Sequence, residues 1–155
     1  MEPFFLIKIV HILSATLLFG TGLGTAFHMW FAYRRGDAST LATVTSNVVM
    51  ADWLFTATSG VMQVATGIAL IILGGHHPHA LWLVIVYVLY FLALVCWLPV
   101  VAIQYKVRDL AKAAANAGQP LPSKARRLML IWFALGWPAF LALVGIFALM
   151  VIRPT

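Results

Sequence analysis

The first residues that could do chemistry are a lysine and a histidine near the start of a long apolar stretch. Lys8 and His11 are three residues apart, so they share one face of a helix. Three further histidines, His76, His77 and His79, lie in a short polar stretch later in the chain. A neutral imidazole binds a transition metal through one ring nitrogen, and haem iron takes such axial ligands. These residues therefore form a candidate site for a metal ion or a b-type haem, with His11 as an axial ligand. Histidines in a loop are also commonly solvated, and a helical histidine can simply hydrogen-bond to a carbonyl group.

A second pair of titratable residues, His28 and Asp52, lies in or beside the apolar segments. If the first hairpin turns near Ser39 and Thr40, the two residues reach a similar depth on either side of the turn. Such a pair could relay protons to a redox or transport site. The alternative is that Asp52 caps the second helix or pairs with Arg34.

Two tryptophans offer stacking surface for a flat cofactor. Trp97 precedes Pro99 by two residues, and Trp137 directly precedes Pro138. Prolines inside long apolar helices favour bends, which can open a shared cavity. Trp97 and Trp137 are therefore further candidates for cofactor binding.

The composition places these residues in a membrane. Of the 155 residues, 63% are hydrophobic and 9% are charged, and too few charged side chains exist to cover a water-soluble domain. Apolar runs at 4–33, 48–73, 80–104 and 128–152 each exceed the roughly 20 residues that cross a hydrocarbon core. The sequence thus predicts an all-α protein, a single four-helix transmembrane domain over residues 1–155. The lone Cys96 excludes a disulfide framework.

The placement of charge predicts the topology. The net charge is +6, but eight of the ten Lys and Arg residues lie in the first and third connections, and none lies in the histidine-rich second connection. The positive-inside rule then places both termini and the second connection outside, as in a multi-pass protein of the bacterial inner membrane. This clustering excludes a basic face for nucleic acid. Glu2 stands where a signal peptide has basic residues, so we expect the first helix to be retained.

Local signals add three details. Residues 106–117 carry apolar side chains at helical spacing, so we expect the third helix to continue into the cytosol along the headgroups. Ser123 is a potential N-cap of the fourth helix. Gly20 and Gly24 form a GxxxG step, which lets a neighbouring helix approach closely.

Several segments closely resemble a bacterial family of predicted integral membrane proteins, domain of unknown function 2269. The resemblance runs nearly from end to end, although the family has no established reaction. It is carried by residues 8–11, 18–24, 51–56, 97–101, 108–110 and 132–138, which read KIVH, LFGTGLG, ADWLFT, WLPVV, RDL and WFALGWP.

More distantly, Lys8 and His11 in a four-helix protein are similar to the copper-resistance-D-like group, which includes the haem-containing protoporphyrinogen oxidase of the HemJ type. In that oxidase a first-helix histidine is important for haem, and a lysine in a later helix is also required. Here no lysine lies in the second to fourth spans before Lys106. The resemblance therefore implies a b-type haem more than it implies porphyrin oxidation.

Three functions follow from these observations. The first is a membrane protein that binds haem b and transfers electrons. The second is a non-catalytic accessory or scaffold subunit, in a homo-oligomer or a larger membrane complex, with the GxxxG step as a contact surface. The third is a carrier for a metal or a small molecule, with a path lined by polar residues of the later spans: Gln63, Thr66, Tyr87, Tyr90 and Gln104.

Overall fold

The computed structural model describes residues 2–153, and all regular secondary structure in that range is helical. Four of its helical segments are long and apolar enough to cross a membrane, which confirms the predicted fold class. The elements are α1 (Pro3–Arg35), α2 (Ala38–Ala51), a π-helical turn (Asp52–Ala57), α3 (Thr58–Leu73), α4 (Leu81–Asn116) and α5 (Ser123–Ile152). The second span is formed by α2, the π-helical turn and α3 together.

A two-residue turn joins the first two helices. Gly36 ends α1 with a φ of 78°, and its N–H donates to the carbonyl of Tyr33 over 3.0 Å. Asp37 then caps α2, accepting a 2.7 Å hydrogen bond from the backbone N–H of Thr40. The expectation of a turn near Ser39 and Thr40 is therefore wrong, and the second helix begins ten residues before the predicted position 48.

The hydrophobic core lies in the half of the bundle that contains the charged connections. It is built from α1, α2, α4 and α5, and its fully buried members include Leu41, Val107 and Met129. Residues 38–48 join this core because their small and apolar side chains recur on one helix face. This burial explains why the helix starts before the apolar run does.

The third span continues as a helix beyond its apolar run, as predicted, since α4 extends to Asn116. Its apolar face, with Val107 and Ala111 at 0% exposure, is part of the core formed with α2 and α5. The expectation that this face lies along the lipid headgroups is therefore wrong. Ser123 is the first residue of α5 and provides no side-chain cap, so the predicted N-cap is also wrong; Pro122 occupies that position.

The π-helical turn changes the packing partner of the second span. Before the turn, α2 packs mainly against α4; after it, α3 packs mainly against α1. A π-helical turn inserts extra backbone and rotates the face that a helix presents. It therefore turns one face of α3 toward α1, where the candidate site lies.

Candidate functional site

His11 lies at the interface of α1 and α3, with its ring half-buried. Its Nδ1 atom lies 2.7 Å from the hydroxyl oxygen of Thr66 on α3. The Thr66 hydroxyl donates its proton to the carbonyl oxygen of Met62, so it can only accept from the histidine. A neutral His11 imidazole in this hydrogen bond is protonated at Nδ1 and carries its lone pair on Nε2.

Two more polar residues fix the position of α1 against α3 at this site. The side-chain amide of Gln63 donates to the backbone carbonyl of His11 over 2.6 Å and also to the hydroxyl oxygen of Ser14. The Ser14 hydroxyl donates to the same carbonyl at 3.1 Å. We call His11, Ser14, Gln63 and Thr66 the α1–α3 polar cluster. Its two members on each helix are three residues apart, so both pairs share a face.

Gly67 makes room for the imidazole. A Cβ atom at this position would lie 3.6 Å from Cε1 of His11, which is ordinary van der Waals contact. A larger side chain would extend into the space that the ring occupies. The glycine therefore permits the ring to lie close to α3, next to its partner Thr66.

Lys8 and the histidine-rich turn complete the predicted neighbourhood. Lys8 is half-buried, one helical turn before His11. In the turn, His76 packs edge-on against Trp82 at 6.0 Å, while His77 and His79 are exposed. Within residues 2–153 no three His, Cys, Asp or Glu side chains converge to hold a metal ion. The structure therefore does not assemble His11, His76, His77 and His79 into a protein metal site.

Asp52 is buried at 4% exposure, at the start of the π-helical turn. The hydroxyl of Thr56 donates to its Oδ1 atom over 2.9 Å, and the side chain of Gln104 on α4 lies close to the carboxyl group. Gln104 is itself only 2% exposed, and its Oε1 atom has no hydrogen-bond partner. Asp52 thus sits in a polar environment built by the second and third spans.

The predicted pair of His28 and Asp52 is not formed. His28 is exposed, and the ion pair found within residues 2–153 joins Arg108 to Asp109. Because the turn is at residues 36–37, Asp52 lies about 21 Å into the second span whereas His28 lies about 10 Å from the end of α1. The difference in depth separates the two residues. The alternative pairing of Asp52 with Arg34 is not formed either.

The two candidate tryptophans have separate aromatic partners. Trp97 packs edge-on against Trp53 at 6.3 Å, and its buried Nε1 atom has no hydrogen-bond partner. Trp137 is 53% exposed and packs edge-on against Phe133 and Phe140. Their role in cofactor binding stays a prediction.

Sequence reasoning missed how the polar residues of the second span are used. Gln63 and Thr66 had been considered only as lining of a carrier path, whereas both contact His11. Two other lining residues are engaged elsewhere: Tyr90 donates to the carbonyl of Gly60 over 2.8 Å, and Gln104 contacts Asp52. The signal that was available is the spacing of Ser59, Gln63 and Thr66, which places three polar side chains on one face of an apolar helix.

Comparison with known proteins gives one family. The model of the family described as "Predicted integral membrane protein (DUF2269)" matches residues 5–154. No curated protein and no solved structure matches the chain. The distant likeness to the copper-resistance-D-like group therefore gains no support from these comparisons.

Proposed function

We propose that the protein, which belongs to the DUF2269 family of predicted integral membrane proteins, binds a b-type haem through His11 and takes part in electron transfer. The observation that supports this function best is the hydrogen bond between His11 Nδ1 and Thr66. In a neutral imidazole that donates from Nδ1, Nε2 keeps its lone pair, which is the form in which an imidazole binds iron.

The donor chemistry at His11 fits an axial haem ligand. Histidines that bind metals usually donate their other ring N–H to an acceptor that fixes the tautomer and the ring orientation, and Thr66 provides that acceptor here. Haem iron needs only one protein ligand, so a converging set of histidines is unnecessary. When bound, haem supplies a one-electron redox couple.

The remaining residues of the site hold and orient His11. Gln63 and Ser14 tie the backbone carbonyl of His11 to α3, which limits movement of the ring between the two helices. Lys8 adds an ammonium group one turn away, suited to a carboxylate of the cofactor. Trp97 and Trp137 are proposed as stacking surfaces, and His76, His77 and His79 as sources of a second axial ligand.

The test is a reduced-minus-oxidised absorption spectrum of the protein purified in detergent from haem-replete cells. We expect Soret and α bands in the wild type, their loss in His11→Ala, and wild-type bands in His28→Ala. His28 is the matched control because it lies on the same helix but is exposed. A wild-type protein without these bands contradicts the proposal, and unchanged bands in His11→Ala contradict the ligand assignment.

We also infer a location and a topology: a multi-pass protein of the bacterial inner membrane, with both termini and the histidine-rich turn outside. Eight Lys and Arg residues in the first and third connections, against none in the second, support this orientation. A reporter enzyme that is active only outside the cytoplasm should be active when fused after residue 155. An inactive fusion of this kind, with an active fusion at residue 118, would reverse the assignment.

One observation favours a second function, that of an accessory or scaffold subunit. A Cβ atom added to Gly20 or Gly24 would meet no atom within 4 Å, so the GxxxG step is not used for packing inside the chain. Of residues 3–28 in α1, only Ser14 is buried. This face is therefore available to a second copy or to a helix of a larger complex. The wild type should then migrate as a complex in native gels, and Gly20→Leu should dissociate this complex. Gly36 is unchanged in this variant, so the turn after α1 is retained.

A further inference from the structure

We propose that the second span carries a proton path from Asp52 to the α1–α3 polar cluster. Five polar side chains lie along one face of this span, spaced alternately four and three residues apart: Asp52, Thr56, Ser59, Gln63 and Thr66. Side chains at this spacing are neighbours on a helix surface. All five are buried or half-buried. We call them the polar stripe.

The polar stripe is long enough to matter for transport across a membrane. Its 14-residue separation from Asp52 to Thr66 corresponds to about 21 Å of helix. The hydrocarbon core of a bilayer is about 30 Å thick. The stripe is therefore roughly two-thirds as long as the apolar barrier is thick.

Hydrogen bonds are already formed at both ends of the polar stripe. At one end Thr56 donates to Asp52, and at the other Thr66 and Gln63 contact residues of α1. Ser59, at 4% exposure, lies one helical turn from Thr56 and one from Gln63. Neighbouring side chains at this spacing have Cβ atoms about 5–6 Å apart, a gap that one bridging water molecule spans.

Asp52 is the group that takes up and releases the proton. Within residues 2–153 no Lys, Arg or His side chain forms an ion pair with it. Ionisable residues buried in membrane spans without a charged partner are typical of proton relays.

The transfer itself needs no other reactant. A proton binds a carboxylate oxygen of Asp52 and leaves along the stripe through the hydroxyl groups of Thr56, Ser59 and Thr66 and through bridging water molecules. Each hydroxyl or water accepts a proton on a lone pair and releases the one it held, while the Gln63 amide keeps its hydrogen bonds to α1 and carries no proton. No bond other than O–H bonds forms or breaks. The inference goes beyond the proposed haem function, because it depends only on side chains that the structure describes.

The test measures proton flux into vesicles that contain the purified protein and a trapped pH-sensitive dye. A potassium diffusion potential drives the flux. We expect the wild type to conduct above protein-free vesicles, and both Asp52→Asn and Thr56→Val to lose this protein-dependent flux. Each substitution keeps the size of the side chain and removes the proton-carrying group.

Thr58→Val is the matched control. Thr58 is exposed, lies two residues from Thr56 on another face, and donates to the backbone carbonyl of Leu54. We expect it to keep the wild-type flux. The proposal is overturned if the wild type conducts no better than empty vesicles, or if Thr56→Val and Thr58→Val give the same flux. Haem spectra of the same samples separate the two proposals, since each can fail without the other.

Discussion

Removing the side chain of Met129 tests where the packing energy of the bundle lies. Met129 is fully buried in the core formed by α1, α2, α4 and α5, whereas its neighbour Leu130 is 56% exposed. In a water-soluble protein, truncating a buried methionine to alanine costs about 2–5 kcal/mol. The two substitutions Met129→Ala and Leu130→Ala form a matched pair on adjacent positions of one helix.

The membrane lowers the expected cost. Lipid is about as apolar as a protein core. A large side chain therefore keeps most of its free energy of transfer out of water, about 1.5–3 kcal/mol, when the helices separate in the membrane. The cavity and the lost contacts remain, and we expect Met129→Ala to lower the free energy of unfolding by about 1–2 kcal/mol. Leu130→Ala should change it by less than about 0.5 kcal/mol.

The assay is equilibrium unfolding in mixed detergent micelles, followed by the helical circular dichroism signal. Equal losses of stability in the two variants would refute the reasoning, because they would show that burial in the described core does not decide the cost. A larger loss in Leu130→Ala would refute it as well, and would indicate a partner on that face.

Two further predictions concern positions beside the site and at the first turn. In the proposed haem complex, Gly67→Ala should keep the wild-type Soret and α bands, since its Cβ would lie 3.6 Å from the His11 ring. Gly67→Leu should displace the ring and lower the haem content. Equal haem content in both variants, where the wild type does bind haem, would contradict the described geometry. Hydrogen bonds from the side chain and the backbone N–H of Thr40 hold the pKa of Asp37 below its usual value of 3.8. The ionised Asp37 cap therefore stabilises the fold fully at pH values above 3.8. This stabilisation is lost as the pH falls through the lower pKa of the folded state. The thermal stability difference between wild type and Asp37→Ala should therefore be present at neutral pH and shrink in acid below pH 3.8; a difference that grows on acidification would contradict this.

The four spans were predictable from hydropathy, but their limits and partners were not. Residues 38–47 contain enough Ser, Thr and Asn to end the apolar run, so the start of the second helix was missed. The signals that were present, Gly36 in a left-handed conformation and Asp37 as a cap, act locally and do not change the hydropathy. The π-helical turn has no hydropathy signal at all, because it depends on how the second span packs against two different neighbours.

The candidate site, like the fold, could be predicted from the sequence only in part. His11 could be singled out because an imidazole in an apolar helix is unusual, and the structure does hold it by specific contacts. Its partners Gln63 and Thr66 lie more than fifty residues away, and their pairing depends on the register between α1 and α3. The pairing of His28 with Asp52 failed for the same reason, since a turn only a few residues earlier shifts the relative depth by about 10 Å.

The most direct test of the account is the position of the proton on the His11 imidazole. Nitrogen NMR of the protein labelled with ¹⁵N-histidine, prepared without haem at a pH where histidine is neutral, reports the protonation of each ring nitrogen. The His11 signals are identified by their loss in His11→Phe. The account predicts a proton on Nδ1, donated to Thr66, and an unprotonated Nε2. A proton on Nε2 would contradict it, because that nitrogen would then be unable to bind iron.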